Sequence, residues 1–154
     1  MLAASRDFEL AGARLAIAPA WKLPFASQQV ALVVSSLGDP YNVRPFWREV
    51  YRVLMPRGVV LFTTPAFEWS SRFRQRTHAD PHQAEFELRS GEYYRVPSFV
   101  YDVEEQAAMM RESGLAHITR GDRTLAQLPL SSRSPKLGGD DALLVVRGFT
   151  ATKD

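Results

Sequence analysis

The sequence predicts an α/β fold, and three adjacent segments carry that expectation. Val30–Ser36 (VALVVSS) is a near-continuous β-branched run between Ser27-Gln28-Gln29 and Gly38-Asp39-Pro40. A strand that is apolar at successive positions, not alternate ones, is one covered on both faces. Val43–Met55 follows, with Phe46, Trp47, Val50, Val53 and Leu54 at helical spacing and Arg44, Arg48 and Arg52 on the opposite, wet face. Val59–Thr63 (VVLFT) is a second buried strand, closed by Pro65. Between the two, Pro56 ends the helix and Arg57-Gly58 turns the chain. Strand, amphipathic helix and strand with tight connections make a βαβ unit, whose right-handed crossover implies a parallel sheet.

The other elements are read from local signals. Leu2–Leu10 is expected as a short helix and Ala13–Ala18 as a short strand ending at Pro19. Asp102–Ser113 is a clear helix, with Asp102 as N-cap, Glu105 three residues on as in a capping box, and Gly114 just past its end. Two strands are expected around Ala116–Thr119 and Ala142–Phe149, separated by a Ser/Pro/Gly-rich loop, Leu130–Asp140. In the irregular segment Glu68–Tyr101, the short runs Glu85–Leu88 and Tyr93–Val96 flank Ser90-Gly91 and predict a hairpin. It interrupts the α/β alternation, as an insertion lying over one end of the sheet would.

Bulk properties exclude several classes. The chain has 154 residues, enough for one domain with a real core. Nineteen Lys and Arg against 17 Asp and Glu give a net charge of +2, too weak a field to argue for nucleic acid or a membrane surface. There are no cysteines, which removes disulfides, thiolate metal sites and cysteine nucleophiles. The longest apolar runs are strand-sized, below the ~18–20 residues that span a bilayer. The N-terminus, MLAASRDFEL, is charged and lacks the apolar run of a signal peptide. The expectation is a single cytoplasmic domain over residues 1–154.

Leu23 to Pro65, LPFASQQVALVVSSLGDPYNVRPFWREVYRVLMPRGVVLFTTP, resembles the small-molecule type of class I S-adenosylmethionine-dependent methyltransferase. In that family a Leu-Pro-Phe turn precedes the fourth strand, and a helix ending in Arg-Val-Leu-Lys-Pro-Gly-Gly leads into the fifth. Here the turn is Leu23-Pro24-Phe25, the helix end is Arg52-Val53-Leu54-Met55-Pro56-Arg57-Gly58, and Glu49 matches the family's usual glutamate. DVEEQAAMMRESGLAHIT is similar to the family's penultimate helix, with Ser113-Gly114-Leu115 in place of its Ala-Gly-Phe end. The resemblance is specific from Leu23 to Pro65 and looser elsewhere. It implies a truncated Rossmann-like methyltransferase sheet, strands 4-5-7-6 with flanking helices, and a hairpin insertion over about 68–101.

The same resemblance implies that the cofactor-binding front half is missing. The family holds S-adenosylmethionine on a G-x-G-x-G turn after its first strand, where only glycine leaves room for the ligand. An acidic residue at the end of the second strand then takes the ribose. Met1–Pro19 contains only Gly12, and the chain begins about where the family's second helix would. Pro19 stands where the family has an acidic residue near the adenine, and Val30-Ala31 where it has Phe-Asp. Pro19 and Ala31 are thus degenerate positions, and Ser35, Ser36 and Leu37 are what remains of the cofactor site. No cofactor is expected for the isolated chain, and S-adenosylmethionine only where a partner completes the site. The implied function is a pseudoenzyme: a non-catalytic accessory or structural subunit acting through oligomerisation. The alternative is one half of a split or heteromeric methyltransferase. In the family's strand order, 3-2-1-4-5-7-6, strand 4 pairs with strand 1. Lacking strand 1, Val30–Ser36 becomes an open edge, expected to pair with a second copy or a methyltransferase partner chain.

The remaining candidates are weighed residue by residue. Tyr41 and Trp69 lie near the carboxyl ends of the parallel strands, where open α/β sheets bind ligands, and with Tyr93 they are the candidate substrate or partner pocket. Tyr93 and Tyr94 are consecutive in a strand and point to opposite faces, so at most one lines a pocket. Trp47 keeps helical register with Val50 and Leu54 and is assigned to the core. His78-x-Asp80-x-His82 would share one face if extended, but Pro81 breaks the segment, so no metal site is expected. Arg72, Arg74, Arg76 and His78 beside Trp69 and Phe73 have the composition of a single-strand nucleic-acid patch. Without a wider basic field they are read as the wet face of a helix starting near Glu68, and an RNA-binding module is the least favoured function. Glu104 and Glu105 diverge by about 100° on a helix and are no catalytic pair. No nucleophile motif is legible, and no catalytic residue is assigned.

Overall fold

The structure, a computed structural model, describes residues 16–77, 80–88, 90–129, 137 and 140–154. The helix expected at Leu2–Leu10, the first half of the strand expected at Ala13–Ala18, His78 and most of the Leu130–Asp140 loop lie outside the described residues.

In chain order the elements are β1 (Val30–Ser35), α1 (Arg44–Val53), β2 (Leu54–Pro65), α2 (Phe67–Thr77), β3 (Gln83–Glu87), β4 (Tyr93–Pro97), α3 (Val103–Glu112), β5 (Leu115–Thr124) and β6 (Leu144–Lys153). Four strands form one sheet in the order β1-β2-β6-β5, while β3 and β4 stand apart as a two-stranded hairpin. β1 and β2 are parallel, as the βαβ unit requires; β6 runs antiparallel to both β2 and β5. This is the expected 4-5-7-6 order. Among the described residues, no helix is long and apolar enough to cross a membrane.

Helix α1 starts with Pro45 in its first turn, where a missing N–H leaves no helical bond unmade. It stops at Val53, earlier than the expected Met55, because Leu54 is already extended (φ −62°, ψ 132°). The expected turn at Arg57-Gly58 is a bulge inside a longer β2. Pairing jumps from Val30↔Leu54 to Leu32↔Val59, and Arg57 takes a positive φ of 63°. A Cβ on Gly58 would stand 2.8 Å from the Met55 carbonyl oxygen, so the bulge closes only around glycine. Beyond the carbonyl end of α1, Lys153 Nζ donates to the carbonyls of Tyr51 (2.8 Å) and Leu54 (2.9 Å). The last strand thereby covers acceptors that the helix leaves open. α2 occupies the start of the segment expected to be irregular, and β5 and β6 outrun their expected lengths because each is held along its flank by a neighbouring strand.

One hydrophobic core joins α1 and α3 to β2, β5 and β6, through Phe46, Trp47, Val50, Leu54, Phe62, Met110 and Phe149. Val53, Leu54, Val60 and Phe62 are fully buried, and Val33 packs against the cluster, as the helical register predicts. The opposite face of β1 differs from expectation. Leu32 and Val34 are 50% and 64% exposed, and Leu61, paired with Val34, is 39% exposed. A run apolar at successive positions predicts cover on both faces, but among the described residues helices pack only on the side of Val33 and Ser35.

The Leu-Pro-Phe turn is tied to α1 by the matched glutamate and arginine. Glu49 Oε1 accepts from the Leu23 N–H at 2.6 Å and pairs with Arg52 at 2.7 Å, while Arg52 Nη2 donates to the Leu23 carbonyl at 3.3 Å. The N–H groups of Gln28 and Gln29 then donate to the carbonyls of Arg52 and Val53, delivering the chain to the start of β1.

Candidate functional site

Ligands of open α/β sheets bind beyond the carboxyl ends of the strands. Here β1 ends at Ser35 and β2 at Pro65, and beyond them lie a 3-10 turn (Asp39–Tyr41), α2 and the β3–β4 hairpin. Between these parts is a cavity of about 780 Å³. Trp69 and Phe73, one turn apart on α2, stack with centroids 5.5 Å apart and form one wall; Phe86 and Tyr93, on opposite faces of the hairpin, both touch its other boundary.

The floor is polar. Asp39 is 7% exposed, and its Oδ2 accepts from Ser98 Oγ at 2.6 Å. Ser98 Oγ in turn accepts from Arg74 Nη2 at 2.7 Å, and the same nitrogen donates to the Ser98 carbonyl at 3.2 Å. Burial pushes the Asp39 carboxyl above its ordinary value, with the Ser98 bond and the Arg74 charge pulling the other way. Burial likewise lowers the Arg74 guanidinium, against the nearby charges of Asp39 and Asp80.

Two further polar clusters hold the walls in place. Trp47 Nε1 donates to Asn42 Oδ1 at 2.8 Å, and Asn42 Nδ2 donates to Gln106 Oε1 at 2.6 Å and to the Phe99 carbonyl at 3.0 Å. These buried bonds fix the loop after β1 to α3. Arg147 on β6, its side chain 3% exposed, pairs with Glu68 at 3.0 Å and Asp122 at 3.1 Å. Glu68 opens α2, so this pairing anchors the turn that carries Trp69.

Of the candidate pocket residues, Trp69 and Tyr93 come together around the cavity, and Leu37 joins them at its rim. Tyr41 does not. Its hydroxyl lies 3.2 Å from Ser35 Oγ, its ring meets Phe46 edge-on at 5.0 Å, and it lines a separate groove along β1 that also includes Ala31. Pro19 and Ser36 are exposed. Tyr94 pairs with Phe86 across the hairpin and is exposed. Trp47 is fully buried. Asp80 Oδ1 accepts from the His82 N–H at 2.7 Å, and among the described residues no three His, Asp or Glu side chains are grouped to hold a metal. The arginine cluster divides: Arg72 faces outward and Arg74 inward. Glu104 and Glu105 are both exposed on α3.

Sequence reasoning missed the Asp39–Ser98–Arg74 unit. In sequence Asp39 is legible only as part of a Gly-Asp-Pro turn, because its partner lies 59 residues away and no local spacing marks the pair.

By sequence, no protein-family model and no curated protein matches the chain. Its structure is similar to an S-adenosylmethionine-dependent methyltransferase from Mesorhizobium loti, with a TM-score of 0.66 and 18% identity over 99% of this chain and 76% of that one. It is also similar to a SAM-dependent methyltransferase from Methanosarcina mazei, with a TM-score of 0.63 and 14% identity over 99% and 74% of the two chains. A more distant likeness is to phosphoethanolamine N-methyltransferase 2 of Haemonchus contortus, crystallised with phosphomonomethylethanolamine and S-adenosylhomocysteine. There the TM-score is 0.55 and the identity 14%, over 89% of this chain and 36% of that one. Sheet order, helix placement and these likenesses agree: the chain has the fold of the S-adenosylmethionine-dependent methyltransferases.

Proposed function

We propose that the chain is a methyltransferase-like subunit that works within an assembly, as a non-catalytic accessory or structural member that does not hold S-adenosylmethionine by itself. The observation that carries this reading is the open side of β1. Among the described residues no strand pairs with its outer edge, and Leu32 and Val34 are exposed beside it. Trp21 and Phe25, in the segment leading to β1, are 57% and 50% exposed. An apolar edge of this kind recruits a strand unless it is covered. The occupant is a second copy of the chain or a methyltransferase partner. Pro19 and Ala31, which differ from the residues usual at those places in the resembled family, favour the accessory role over catalysis.

A second reading is favoured by the cavity, which occupies the place where α/β sheets bind ligands. Here the chain is one half of a heteromeric methyltransferase, and another polypeptide supplies the glycine-rich cofactor turn. The RNA-binding reading has less support, since Arg74 is spent on Ser98.

Light scattering tests the assembly directly. The purified chain is expected to be a dimer or larger at micromolar concentrations, and Val34→Lys to dissociate it while leaving its circular dichroism unchanged. A folded wild-type monomer would overturn the proposal.

A further inference from the structure

We propose that β1 pairs antiparallel with β1 of a second copy of the chain, about a two-fold axis at Val33. This rests on the assembly proposed above and commits it to one partner and one register.

Neutrality is the first argument. From Phe25 to Gly38 the sequence carries no charged residue and no histidine, although 23% of the chain is charged. Pairing a strand with its own copy brings each residue beside others of the same short set, where like charges would repel. Charges set across a contact are also a usual means of selecting a different chain as partner. This edge offers none, so it is matched to itself.

The exposed face supplies the second argument. Directly opposed residues of an antiparallel pair share a face, so an axis through one residue keeps the faces of the two strands aligned. Val33 is the midpoint of the uncharged run Val30–Ser36. About it, Leu32 stands opposite the partner's Val34, and Val34 opposite the partner's Leu32. Within one copy Val34 pairs with Leu61 and Leu32 with Val59. An apolar row then crosses the joined sheet from Leu61 through Val34 to the partner's Leu32 and the partner's Val59, and the two-fold repeats it. Leu32 and Val34, both exposed in the single chain, are covered by one another.

The helix-covered face supplies the third. There Val33 lies between Ala31 and Ser35 on the same side of the strand. A groove of about 840 Å³ follows β1, bounded by Phe25 in the turn that leads to the strand and by Tyr41 and Phe46. The side chains turned towards it from the second strand are the partner's Ala31, the partner's Val33 and the partner's Ser35, all small and uncharged. The two four-stranded sheets become one, and neither β1 remains an edge.

The sequence has no cysteine, so a thiol introduced into the full chain is its only one. Opposed Cα atoms at the axis lie about 4.5–5.5 Å apart, within disulfide reach. Under mild oxidation Val33→Cys is expected to give a covalent dimer that a reductant reverses. Ala31→Cys, about 13 Å from its copy, is expected to stay unlinked. A mixture of Leu32→Cys and Val34→Cys is expected to link one of each, which supports the register should Val33→Cys disturb folding. Light scattering and circular dichroism are followed on every variant. A dimer that links more strongly through Ala31→Cys than through Val33→Cys would overturn the register. A dimer that links through none of these positions would overturn pairing along β1 while leaving the assembly itself. A folded monomer would overturn both.

Discussion

Asp39 and Ser98, 59 residues apart in the chain, share a 2.6 Å hydrogen bond at the base of the cavity. The bond joins the turn after β1 to the segment after the hairpin, and it places a carboxyl where water barely reaches. Glu49 is a contrasting acid, since the Arg52 hydrogen bond holds its carboxyl below the ordinary 4.5. These two acids give opposite pH dependences. Asp39 is raised above 3.8, so its contribution to stability is full below that pH and is lost as pH rises through its folded value. Glu49 contributes fully above 4.5 and loses that contribution as pH falls through its folded value. The stability difference between wild type and Asp39→Asn is therefore expected to shrink as pH rises from 3.8, and that for Glu49→Gln to grow as pH rises towards 4.5. Denaturant titrations at several pH values measure both. A wild-type advantage over Asp39→Asn that grows with pH would mean that Arg74 outweighs burial.

Leu54 is fully buried where α1 passes into β2, in the cluster with Trp47, Val60 and Phe62. Leu54→Ala is expected to destabilise the fold by about 2–5 kcal/mol, the range for emptying a leucine site. Chemical denaturation reads it, and a loss below ~1 kcal/mol would show that the site collapses or that its burial is misassigned.

Gly114 and Gly91 both have positive φ, +99° and +82°, but different surroundings. A Cβ at Gly114 would stand 2.7 Å from the Tyr51 ring, whereas one at Gly91 meets nothing within 4 Å. Gly91→Ala is expected to cost only the conformational strain, on the order of 1 kcal/mol. Gly114→Ala adds a steric conflict at the α3–α1 contact and is expected to cost more, about 2–3 kcal/mol in all. Thermal melts of the two variants compare them, and equal shifts would refute the Tyr51 clash.

The isolated chain is expected not to bind S-adenosylmethionine. The reasons are the absence of a G-x-G-x-G turn from this sequence and the residues at Pro19 and Ala31. Calorimetry tests it. Micromolar binding by the chain alone would promote an enzymatic reading, and binding only after a second polypeptide is added would favour the heteromeric one.

Residues within a turn or two of one another determined much of this protein through the sequence alone. Phe46, Trp47, Val50 and Leu54 repeat at helical spacing, so α1 and its buried face were legible; Asp102, whose Oδ1 accepts from the Glu105 N–H at 2.8 Å, marked the start of α3. The β-branched runs marked β1 and β2, and Ser90-Gly91 marked the hairpin. Matches such as Glu49 and Arg52 carried the sheet order through resemblance, and the ion pair now explains why they occur together. Tertiary structure alone decided the rest. β1 is apolar along its length, but only packing layers determine which face is covered, and here Val34 stays exposed while Ser35 is buried. Arg72 and Arg74 look alike in sequence, yet only Arg74 meets Ser98, a partner 24 residues away. Trp69 and Tyr93 share a cavity that Tyr41 does not, because α2 and the hairpin fold over the strand ends while Tyr41 turns back onto Phe46. Helical period and capping are short-range effects that a single segment expresses by itself. A hydrogen bond between distant residues, or a cavity between an insertion and a sheet, exists only once the whole chain has closed around it.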